Sequence, residues 1–192
     1  METFPKDVEL RNGQASLHLM SDQDATNMLA FAQTLPAHDL MFLRRDILQP
    51  HVIESWVKKI ESGKNITVIA TADGEIMGYG TLSRGEIDWS RHVAELRIMV
   101  GSNHRETGVG RIIVRELFKI ALGKSIEKIY ARMTLDQTGA RKLFQELGFH
   151  PEALLENEVK DREGKVHDVL SMAVDVETFH ARRDSYGLTR NK

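Results

Sequence analysis

The sequence predicts a mixed α/β (α+β) domain of about seven strands and four helices, in the order β α α β β β α β α β β. Three observations lead there. ITVIATA and EIMGYGTL are joined by Asp73 and Gly74, a pair suited to the two positive φ angles of a tight hairpin. From Val109 onward, Ile112, Ile113, Leu117, Ile120 and Ala121 recur at helical spacing, while Arg111, Arg115, Glu116 and Lys119 take the other side. EALLENEVK and KVHDVLSMAV, separated by DREG, read as a closing hairpin.

The remaining elements are taken in chain order. ASLHLM alternates apolar and polar residues and predicts the first strand. Ser21, with Asp24 three residues later, resembles a capping box. The helix it opens carries Ala25, Met28, Leu29, Ala32 and Leu35 on one stripe until Pro36 stops it. HVIESWVKKIES after Pro50 gives a second helix, ended by Gly63, with Trp56 beside Ile53 and Ile60 on its core face. HVAELRIMV is a central strand, SIEKIYARM another. Ala140, Leu143, Phe144 and Leu147 form a last helical stripe closed by Gly148, with Phe149 placed to complete the cap's apolar contact. ARRDSYGLTRNK has no apolar face, so the reading is one domain over residues 1–180 and a flexible tail over 181–192.

Composition narrows the function. At 192 residues the chain buries a core without staples, and 41% hydrophobic with 28% charged residues is ordinary globular usage. Its 26 Lys and Arg against 28 Asp and Glu provide no basic field for nucleic acid. METFPKDVELRNG lacks the apolar stretch of a signal peptide, and no apolar run approaches the roughly 18 residues of a membrane helix, which predicts a cytoplasmic protein with no membrane partner. The absence of cysteine excludes thiolate metal sites and an acyl-cysteine intermediate. Eight histidines form no H-E-x-x-H or similar cluster, so no metal is expected. His167 and Asp168 alternate across a hairpin strand as surface residues, and His92 precedes the central strand at a solvated end.

The stretch most able to carry chemistry is HRETGVGR, His104 to Arg111, between a strand and an amphipathic helix. A helix start offers unpaired N–H groups and a favourable dipole to an anion, and glycines there let a ligand approach the backbone. A plain tight turn is the alternative. The chain has neither G-x-x-x-x-G-K-[ST] for a nucleoside triphosphate nor G-x-G-x-x-G for a dinucleotide.

R-x-x-G-x-G in this context, with QTGARKLFQELGF about 30 residues later, resembles two motifs of the GNAT superfamily of acyl-CoA-dependent N-acetyltransferases. The resemblance covers residues 15–175. It implies a GNAT-like twisted, mostly antiparallel sheet splayed between strands 4 and 5, with acetyl-CoA as acyl donor and no metal. It also implies that the backbone of Ile98, Met99 and Val100 pairs with the pantetheine arm, and that Arg105, Glu106, Thr107, Gly108, Val109, Gly110 and Arg111 surround the pyrophosphate. Gln137 stands where the family commonly has Asn, keeping an amide of longer reach toward the arm. Phe144 stands where the family commonly has the Tyr that acts as general acid. Tyr79, Tyr130 and Thr134 are other hydroxyls for that role.

A thiol resembling cysteine, with a pKa of about 8.5, leaves tolerably as thiolate, so the missing acid slows such a step without forbidding it. The amine must attack neutral. A lysine side chain, with a pKa of about 10.4, is roughly 0.1% neutral near neutral pH at a cost of about 4 kcal/mol, whereas an α-amine near 8 costs less than about 1 kcal/mol. Glu95, a carboxylate inside an apolar strand, is the candidate base, with Glu86 and Asp88 as weaker alternatives. On strict alternation Glu95, Arg97 and Met99 share one face, and an ion pair of Glu95 with Arg97 or another charge is an equal reading. Trp89 in the preceding loop either contacts substrate or packs over the sheet edge. The expected acceptor is a small-molecule or protein amine, and the family's habits make a homodimer one expected assembly. The competing function is a non-catalytic acyl-CoA-binding sensor or regulatory module, motivated by Phe144. A plain α/β interaction domain is the third.

Overall fold

The computed structural model describes residues 3–41, 43, 46–85, 87–161 and 163–179. Glu86 and the expected tail over 181–192 lie outside them. Eight strands form one mostly antiparallel sheet in the order β1-β2-β3-β4-β5-β6-β8-β7. They are β1 (Lys6–Glu9), β2 (Gln14–Leu19), β3 (Asn65–Ala72), β4 (Glu75–Arg84), β5 (Val93–Val100), β6 (Lys128–Thr134), β7 (His150–Lys160) and β8 (Val166–Asp175). The helices are α1 (Ala25–Thr34), α2 (Ala37–Met41), α3 (Pro50–Glu61), α4 (Val109–Leu122) and α5 (Thr138–Glu146).

Two elements exceed the sequence reading. β1 is KDVE, whose single strongly apolar residue gives no alternation to read; it forms because a turn at Gly13, φ +103°, folds it antiparallel onto β2. The expected division between strands 4 and 5 therefore concerns β5 and β6. The second addition, α2, is one short helix beyond Pro36.

The chain divides into two units. The first comprises residues 1–83 and 96–119. Its sheet is covered on one face by α1 and α3, whose Met28, Phe31, Ala32, Ile53 and Val57 bury against Ile69 and Tyr79. On α4 the apolar stripe is as read, with Ile113 and Leu117 fully buried. Gly80 of β4 permits that approach: a Cβ there would lie 2.6 Å from Ile113 Cγ2 and 2.7 Å from Leu117 Cδ1. The polar face of α4 needs one correction. Glu116 is buried, 6% exposed, because it pairs with Lys6 of β1 and, at 2.9 Å, with Lys119. The strand that sequence patterning missed is the one that gives this carboxylate a partner.

The second unit comprises residues 84–95 and 120–192. β5 and β6 are parallel here, in register from Val93↔Lys128 to Glu95↔Tyr130, and β6 pairs antiparallel with β8 along its full length. α5 ends in a complete glycine cap: Gly148, φ +89°, donates to Gln145 O at 3.0 Å and Phe149 donates to Phe144 O at 3.0 Å. The rings of Phe144 and Phe149 meet edge to face at 4.8 Å, the apolar contact expected from the sequence.

Candidate acyl-CoA site

In the first unit β5 ends at Val100 and the chain turns through Gly101, whose N–H donates to Met77 O at 2.9 Å. A short 3-10 turn, Ser102–His104, leads into the loop. Two closely spaced reversals shape that loop: Glu106 has φ +65° and Gly108 has φ +93°. A residue with a side chain rarely adopts the first, and the second suits glycine. The Thr107 hydroxyl donates to His104 O at 2.7 Å, holding the loop to its own start. Thr107 O in turn accepts the backbone N–H of Arg11, from the turn between β1 and β2, at 3.1 Å.

α4 begins at Val109, and its first helical bond runs from Ile112 N–H to Gly108 O at 3.1 Å. The amides of Gly108, Val109 and Gly110 precede that first donor and have no acceptor within the helix. The Val109 amide has only a long contact, 3.4 Å, to Thr107 Oγ1. Among the described residues, its own chain neighbours apart, no heavy atom lies within 4 Å of the position a Gly108 Cβ would occupy. A helix N-terminus with open space at its first turn suits an anion of phosphate size.

The charged residues around the turn differ in state. Arg105, expected at the pyrophosphate, pairs with Asp39 of α2, so part of its charge is engaged inside the protein. Arg111 is half-buried on α4. Arg11 is exposed, and its place beside Thr107 was not legible as a site signal; only the turn it occupies, RNG, is readable in the sequence.

Of β5, Met99 packs against the α1 and α3 cluster, while Ile98 and Val100 are half-buried. Glu95 is 4% exposed and stands opposite Tyr130 in the parallel register. Asp88, the alternative base, is exposed at 88% of its side chain and lies 3.6 Å from Arg91.

The three alternative hydroxyls are in different settings. Tyr79 is buried between the rings of Phe31, 6.0 Å away, and Trp56, 5.0 Å away. Burial pushes its phenol well above the usual range, only partly offset by the Arg97 charge, which makes it a weaker acid. Trp56 is anchored by its Nε1–H to Thr67 Oγ1 at 3.1 Å, and Thr67 shares a hydrogen bond of 2.9 Å with Thr81. Tyr130 is half-buried, with the Arg132 guanidinium 5.4 Å from its ring centre. Thr134 is 1% exposed, and its hydroxyl has no hydrogen-bond partner among the described residues.

Gln137 is half-buried, and its Oε1 accepts the Thr134 N–H at 3.1 Å. Phe144 is 3% exposed in the α5 cap. Trp89 is 81% exposed, so it does not pack over a sheet edge. His167 Nε2 lies 2.8 Å from Asp161 Oδ2 within the closing hairpin. Among the described residues no group of three or more His, Asp or Glu side chains is arranged to hold a metal ion.

The family model for GNAT acetyltransferases matches residues 33–149, a span holding the glycine turn, β5 and all of α5. The chain belongs to the GNAT acetyltransferase family. Solved structures share its fold. A GNAT-family acetyltransferase from Streptococcus pneumoniae superposes with a TM-score of 0.74 at 23% identity, covering 84% of this chain and 99% of that one. The ribosomal-protein-alanine N-acetyltransferase of Brucella melitensis gives 0.74 at 20% identity over 83% and 98%. A Salmonella typhimurium protein solved with its cofactor acetyl-CoA gives 0.73 at 15% identity over 84% and 94%. A comparison with curated proteins returns no match. Among the described residues no helix is long and apolar enough to cross a membrane.

Proposed function

We propose that this GNAT acetyltransferase moves an acetyl group from acetyl-CoA to a primary amine by direct attack. The observation that carries the reading is the open first turn of α4, reached from β5 through the connection 101–108, in a chain of an acetyltransferase family. The amides of Gly108, Val109 and Gly110 take the pyrophosphate, with Arg105 and Arg111 adding charge. The pantetheine arm runs along the backbone of Ile98, Met99 and Val100 as an added strand.

The amine nitrogen attacks the thioester carbonyl, a C–N bond forms, the C–S bond breaks and coenzyme A leaves as its thiolate. Glu95 takes the proton that the amine sheds. Its place supports that assignment: Glu95 is a buried carboxylate on β5, the strand along which the pantetheine arm is read to run. With Phe144 in place of an acid, the thiolate takes its proton from solvent. Acetyl transfer then depends on positioning and on backbone donors to the oxyanion.

The test mixes the protein with acetyl-CoA and a panel of amines and follows thiol release with a thiol reagent, to which a cysteine-free chain adds no background. Release that depends on one amine supports the enzyme. Stabilisation by coenzyme A without turnover on any amine favours the sensor that Phe144 motivates. Glu95→Gln should lower the rate about 100-fold near neutral pH and flatten its rise with pH; full activity at every pH would remove Glu95 as the base.

A further inference from the structure

We infer that Arg11, from the turn between β1 and β2, binds the 3′-phosphate on the adenosine end of acyl-CoA and makes this protein select the phosphorylated coenzyme over its dephospho form. The inference rests on the acyl-CoA reading above and extends it to a residue far away in sequence.

The backbone sets the position. The Arg11 N–H donates to Thr107 O at 3.1 Å, and Leu10 N–H donates to Gly13 O at 2.9 Å, so the tight RNG turn is fastened to the loop that precedes α4. β1 is itself held down, paired to β2 and tied through Lys6 to the buried Glu116 of α4. A turn anchored at both ends presents its side chain from a fixed base, which reduces the entropy lost on binding.

Charge state then separates the three arginines around the loop. Arg105 is engaged by Asp39, and Arg111 has interactions within the protein. Arg11 is exposed and, among the described residues, its guanidinium makes no ion pair or hydrogen bond. It is the uncommitted cation at this turn. The first-turn amides of α4 meet a pyrophosphate along the helix axis, whereas Arg11 is attached on the Thr107 side, before the helix begins. A phosphate offset from the pyrophosphate by one ribose is the group such a cation meets. A phosphate monoester carries a charge of about −1.5 to −2 near neutral pH and accepts the two parallel hydrogen bonds of a guanidinium.

The test measures dissociation constants for coenzyme A and dephospho-coenzyme A with wild type, Arg11→Ala and Arg11→Lys, in the full chain at low salt. Wild type should bind coenzyme A about five- to tenfold more tightly than the dephospho form. Arg11→Ala should lose that preference by weakening coenzyme A alone, and Arg11→Lys should retain part of it, since lysine keeps the charge and loses the fork. The preference should shrink as salt rises. Equal weakening of both ligands by Arg11→Ala, or of neither, overturns the inference. A wild type that binds neither ligand overturns the acyl-CoA reading itself, a pattern distinct from loss of the preference alone.

Discussion

Two glycine turns at the ends of two helices show what the fold keeps for itself and what it leaves open. Gly148 closes α5: its own N–H and that of Phe149 return to the last helical carbonyls, and the rings of Phe144 and Phe149 meet edge to face beside them. Gly108 opens α4 in the opposite way. It has a similar positive φ, +93° against +89°, yet the amides after it precede the first helical donor and, among the described residues and its chain neighbours apart, no atom lies within 4 Å of its missing Cβ. The same residue type thus terminates structure in one place and exposes a charged dipole end in the other. A glycine's function is therefore read from what its neighbours leave unsatisfied, since its conformation is alike in both.

Mutations can break this contrast in order of size. Phe149→Ala removes the seal of the closed turn and should cost about 3–5 kcal/mol of stability by denaturant unfolding; the affinity of the folded fraction for coenzyme A should not move. The paired glycine substitutions come next. Gly148→Ala should lower stability by about 1–2 kcal/mol through its positive φ and leave coenzyme A binding intact. Gly108→Ala carries a similar backbone penalty but should also weaken coenzyme A about tenfold in titration calorimetry, because a methyl group enters the ligand's approach. If both variants changed stability alone, the distinction between an open and a closed turn would fail.

Smaller effects sharpen the comparison. Asp39→Asn releases Arg105 from its ion pair, so coenzyme A should bind about threefold more tightly, with stability changed by less than about 1 kcal/mol. In the closing hairpin, the hydrogen bond from His167, with backbone donation from Lys165 and Glu163, holds the Asp161 carboxyl below its ordinary value of 3.8. A depressed carboxylate contributes stability that is present above its ordinary value and is lost as pH falls through the lower folded one. Carboxyl NMR titration of His167→Asn should therefore show Asp161 moving back up, while the glycine turn of α4 is unaffected.

Much of the fold was readable because local signals and tertiary packing agreed. The Asp73–Gly74 hairpin, the stripes of α1, α3, α4 and α5 and the cap at Gly148 all depend on spacing and on residues with special backbone freedom. β1 was missed for the converse reason. KDVE has no periodic apolar face, and its strand exists only because β2 offers an edge to pair with. Glu116 was assigned to the solvent side for the same cause: its partner Lys6 lies 110 residues away in sequence.

The candidate site divides along the same line. HRETGVGR and QTGARKLFQELGF are contiguous motifs, so the sequence by itself determined the family, the position of the glycine turn and the replacement of the usual tyrosine by Phe144. Contacts between distant segments were decided by the tertiary structure alone. It brought Asp39 to Arg105 and Arg11 to Thr107, and it enclosed Tyr79 among aromatic rings. The physical reason is that a backbone conformation is written in neighbouring residues, whereas the charge a residue has left to offer depends on which remote groups folding places against it.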